Sequence, residues 1–71
     1  MNKITIIKFV DDKAEFPFIT KIVITDNDGK VKEVREMGVK SRKVGAYNLR
    51  AQKKELKKTF NVARINYEGG Y

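Results

Sequence analysis

The tetrapeptide Asp26-Asn27-Asp28-Gly29 stands between two runs of β-prone residues, Ile19 to Thr25 and Lys30 to about Met37. In that setting it predicts a tight hairpin turn. Asp and Asn bond their own backbone, and Gly takes a positive φ without steric cost. Two antiparallel strands are thereby fixed in the middle of the chain, and the rest must build on them. The acidic turn is a poor calcium loop: an EF-hand needs an acid at position 24 and Glu at position 35, where the chain has Ile24 and Arg35.

Other segments carry their own periods. Residues Lys3 to Val10 include Ile4, Ile6, Ile7, Phe9 and Val10. β-branched side chains dominate and both faces are partly apolar, which predicts a central strand. Asp11 to Glu15 reads as a loop. Pro17 favours an extended Phe16 and keeps this point out of a central ladder. In the third strand Val31 and Val34 are the apolar members, and the charges of Lys32, Glu33, Arg35 and Glu36 turn much of it to water. Gly38 is expected to end or bend that strand.

After the basic linker Lys40-Ser41-Arg42-Lys43, a helix is expected from between Val44 and Asn48 to about Thr59, with Asn61 as an αL cap. At 100° per residue Leu49, Leu56 and Phe60 form a narrow apolar stripe, with Ala46 beside it. Val62 to Tyr67 reads as a fourth strand with Ala63, Ile65 and Tyr67 on one face. Residues 68–71, with Gly69-Gly70, are expected to fray. The fold class is therefore α+β: a small antiparallel or mixed sheet in β-β-β-α-β order, with one amphipathic, basic helix packed on it.

Seventy-one residues form one domain, 1–71, with a marginal core. With no Cys and no His, disulfides and His- or Cys-based metal sites are unavailable. The core must suffice alone or with a second copy, so a homodimer is a possible partner state. A cytoplasmic location is expected, since no apolar run spans a membrane and the N-terminal segment reads as a strand rather than a secretory signal.

The net charge of +7 is not spread evenly. Residues 40–58 hold eight basic side chains against Glu55 alone, which equals the whole excess; the remainder of the chain is neutral. On the helical wheel Arg50, Lys53, Lys54, Lys57 and Lys58 share an arc of about 140° that includes Tyr47. Lys40, Arg42 and Lys43 extend it at the N-terminal end. Like charges at Arg50/Lys54, Lys53/Lys57 and Lys54/Lys58 repel, at a few tenths of a kcal/mol each. A face kept for solubility would normally intersperse Glu, so the unrelieved repulsion favours an anionic partner.

The expected function follows from that surface. Lys40, Arg42, Lys43, Tyr47, Arg50, Lys53, Lys54, Lys57 and Lys58 are the candidate nucleic-acid-binding residues of a small accessory protein, of the kind phages and mobile elements encode. Neutralised phosphates release counterions, which supplies most non-specific affinity. Lys outnumbers Arg twelve to four, which suits phosphate contact better than base readout. The alternative is a modulator that docks its basic helix on an acidic protein surface. Catalysis is not expected: there is no His base, no Cys nucleophile and no phosphate-cradling Gly motif, and the only Ser is Ser41. No cofactor, metal or membrane partner is implied.

Overall fold

The computed structural model describes residues 2–60 and 62–71, and the side chains of all of these except Val62 and Ala63. Four strands and one helix follow in the expected order: β1 (Asn2–Val10), β2 (Phe18–Thr25), β3 (Val31–Val39), α1 (Arg42–Thr59) and β4 (Val62–Gly69). They form a mixed sheet of order β3-β2-β1-β4 with α1 packed on one face. β1 lies inside the sheet, antiparallel to β2 and parallel to β4. β2 and β3 form the antiparallel hairpin.

The turn chemistry sets that hairpin. Asp26 Oδ1 accepts hydrogen bonds from the backbone N–H of Asp28 (2.9 Å) and of Lys30 (3.0 Å), and Gly29 sits at φ +84°. The backbone N–H of Asp26 in turn donates to the Lys30 carbonyl. One irregularity follows at once. Thr25 pairs with Val31 and Ile24 with Glu33, so Lys32 is an extra residue. The bulge resets the alternation and turns both Val31 and Val34 away from the helix.

From β3 the chain must reach the opposite edge of the sheet. An 18-residue helix is about 27 Å long, close to the roughly 30 Å of a nine-residue strand, so α1 returns the chain along the sheet with short connections. Its underside presents Leu49 and Leu56 to Ile4 and Ile6 of β1 and to Ile22 and Ile24 of β2. The paired positions Ile4↔Ile24 and Ile6↔Ile22 stack these side chains directly opposite one another. Ile4, Ile6, Ile22, Ile24 and Leu56 are fully buried, while Met37, Phe60 and Ile65 close the margin of the core.

Several expectations change. The helix begins at Arg42, before the Val44–Asn48 window, because Ser41 caps it: its Oγ accepts from the Val44 N–H at 3.2 Å. Ala46 is exposed, and Gly45 takes the buried place beside Leu49. Gly38 does not end β3; it pairs with Ile19 inside the strand. A Cβ there would lie 2.8 Å from the Phe16 carbonyl oxygen, so its role is close approach rather than a bend. The expected cap at Asn61 lies outside the described residues, and so does the side chain of Ala63.

The tail also departs from expectation. Glu68 and Gly69 complete β4. Tyr71 folds back under the helix, where its hydroxyl and that of Thr20 are hydrogen-bonded at 2.8 Å. Its ring meets Phe18 edge-on with centroids 5.5 Å apart. Lys8 Nζ lies 4.4 Å above its centroid. An aromatic with both an apolar ring and a hydroxyl partner has reason to dock even after two glycines.

Candidate nucleic-acid interface

The early start of α1 alters the candidate site. With Lys43 inside the helix, Lys43, Tyr47, Arg50, Lys54 and Lys58 follow one another at spacings of four, three, four and four residues. At 100° per residue they fall within an arc of about 80°. That stripe lies opposite the buried Leu49 and Leu56, along the crest of the helix, and spans about 23 Å. All five side chains are exposed, and Tyr47 retains 72% of its full exposure. Arg50, Ala51 and Lys54 line a shallow recess with Tyr47.

The flanks of α1 differ. Toward β3, Arg35 gathers the acidic and amide groups. Its Nε donates to Glu33 Oε2 and its Nη1 to Gln52 Oε1, both at 2.6 Å, and Glu55 Oε1 lies 3.5 Å from Nη1. The single acid of the helix is thus drawn to the sheet and does not neutralise the crest. Toward β4, Lys53 is half-buried with its ammonium 5.1 Å above the Tyr67 ring, and Lys57 lies exposed beside it. Among the described residues Arg50, Lys54, Lys57 and Lys58 form no ion pair.

The nine candidate residues therefore separate into two groups. Lys43, Tyr47, Arg50, Lys54, Lys57 and Lys58 are brought together on the exposed side of α1. Lys40, Arg42 and Lys53 instead lean over aromatic rings of the domain itself: Lys40 over Phe16 at 5.5 Å, Arg42 over Phe18 at 5.8 Å and Lys53 over Tyr67. Each such contact contributes on the order of 0.5–1 kcal/mol and ties the cation to the fold. Wheel geometry alone carries no sign of these rings, because their positions depend on strand order.

The N-terminal turn adds to the positive field. It holds Arg42 and Lys43 and no acidic residue, where the helix dipole is already positive. Among the described residues no three carboxylates converge in a way that would hold a metal ion, and no helix is long and apolar enough to cross a membrane. Comparison with protein-family models, with curated proteins and with solved structures finds no match.

Proposed function

We propose that this domain is a small, non-enzymatic nucleic-acid-binding protein that holds phosphates on the crest of α1. The observation that supports it best is the uncompensated stripe Lys43, Arg50, Lys54 and Lys58. The only acid on the helix is engaged by Arg35, so these cations repel one another without relief from within the domain. Phosphate oxygens would relieve that repulsion and release their own counterions.

A titration at several salt concentrations tests this reading. Four to five phosphate contacts give a slope of log K against log salt of about −4 on a duplex and about −3 on a single strand. Lys54→Glu with Lys58→Glu removes two contacts and adds two repulsive charges, so binding at moderate salt should be lost while the fold persists. Absence of binding at low salt would end the proposal.

A protein partner is the second reading, favoured by the other face of the sheet. Phe9, Phe16, Val31 and Val34 are exposed there. Apolar side chains grouped on one side commonly mark protein contact.

A further inference from the structure

We infer that the recess formed by Tyr47, Arg50, Ala51 and Lys54 is a base-stacking subsite, and that the preferred ligand is single-stranded nucleic acid with unstacked bases. This rests on the proposal that α1 binds phosphate, and it adds a choice of strand state. Three observations carry it.

The first is the arrangement of charge. A helix docked in a duplex groove turns its crest to base edges and meets phosphates on both flanks. Here the cations occupy the crest. The flank toward β3 offers Glu55, paired with Arg35, and Gln52, so it has no free cation for a second backbone. One line of positive charge about 23 Å long fits one phosphate backbone.

The second is Tyr47 itself. It stands second in the stripe, with Lys43 one turn before it and Arg50, Lys54 and Lys58 after it. At 72% exposed, its ring is packed against little in the domain. In a duplex the base faces are closed within the stack, and such a ring is left with only edges and phosphates to touch. A single strand supplies open π-faces, and an aromatic interleaved with cations is the usual platform for them.

The third is the residue between them. Ala51, one turn beyond Tyr47, is the smallest of the residues that line the recess. A longer side chain at that position would fill the space beside the ring. Arg50 and Lys54 line the same recess, so a base that lies on Tyr47 would bring its phosphate next to two cationic residues.

The test compares four probes at equal charge: oligothymidine and oligouridine of about 12 nucleotides, a mixed-sequence DNA duplex, and inorganic polyphosphate, which has charge but no bases. The chain has no Trp and three Tyr, so stacking on Tyr47 is read as the part of the tyrosine quench that Tyr47→Ala abolishes. Both single strands are expected to bind more tightly than the duplex and polyphosphate, and to quench Tyr47. A clear gap between the two single strands would identify the sugar as a further determinant within the same chemistry. Tyr47→Ala should weaken single-strand binding by about 5- to 100-fold and leave polyphosphate binding unchanged. Tyr47→Phe keeps the ring and should retain the affinity. An equal loss in Tyr47→Phe and Tyr47→Ala would assign Tyr47 to a phosphate hydrogen bond and overturn the stacking site. Duplex or polyphosphate bound as tightly as single strands, with Tyr47→Ala neutral, would overturn it too while leaving the phosphate proposal standing. Failure of every probe, or tighter binding to polyglutamate, added as an acidic-protein control, than to any nucleic acid, would overturn both.

Discussion

Gly45 shows how one residue reports on a distant one. It occupies the first turns of α1, where Ala would ordinarily be favoured by about 1 kcal/mol. A Cβ at this position, however, runs into the hydroxyl of Tyr71. Gly45→Ala is therefore expected to destabilise the domain by displacing Tyr71 from Thr20 and Phe18. In a Tyr71→Ala background the same change should be neutral or stabilising. A double-mutant cycle of denaturant midpoints measures the coupling, and simple additivity would contradict it. Leu56 works by contact alone: it is fully buried among the β1 and β2 isoleucines, so Leu56→Ala should cost about 2–5 kcal/mol. The docking of Tyr71 could not be read from the chain, because two preceding glycines look like the start of a loose end. The hydroxyl of Thr20, the only buried polar side chain among the described residues, is recognisable as its partner only once the strands are aligned.

Among the elements, α1 carries both the stability and the charge. Ser41→Ala removes the N-cap acceptor and should cost about 1 kcal/mol. Its like-charged pairs oppose the fold. Adding moderate salt to the free protein is therefore expected to raise the melting temperature, since screening relieves the crest repulsion. A fall would mean that Arg35 and its two carboxylate partners dominate instead. Composition and period make this helix visible through Leu49 and Leu56, while Phe60, expected on the same stripe, is the extended residue that caps it, and the first turn is hidden. Ser41 amid three basic residues resembles a linker, and the cap is evident only from its bond to Val44. That one-turn difference moves Lys43 from linker to crest. In β3 the sequence misleads in another way. Val31 and Val34, three apart, cannot share a face in a regular strand, and the extra residue Lys32 lets them do so.

For the whole molecule, a single helix over a four-stranded sheet divides the surface into two unlike sides. The helix side carries the uncompensated cations. The open side of the sheet mixes charges, with Lys21 paired opposite Glu36 and Lys3 beside Arg64, among Ile7, Phe9, Val23 and Val34. The division follows from topology: β3 and β4 must be joined across one face, and the joining segment is the basic one. Charge counting located the excess between residues 40 and 58, yet only the placed elements show which of those side chains point outward. Resonance assignment followed by amide chemical-shift mapping with a single-stranded oligonucleotide tests that placement most directly. The expected shifts lie at Lys43, Tyr47, Arg50, Lys54, Lys57 and Lys58, with Phe9, Val23 and Val34 unmoved. Shifts centred on the open face of the sheet, with α1 silent, would contradict the account.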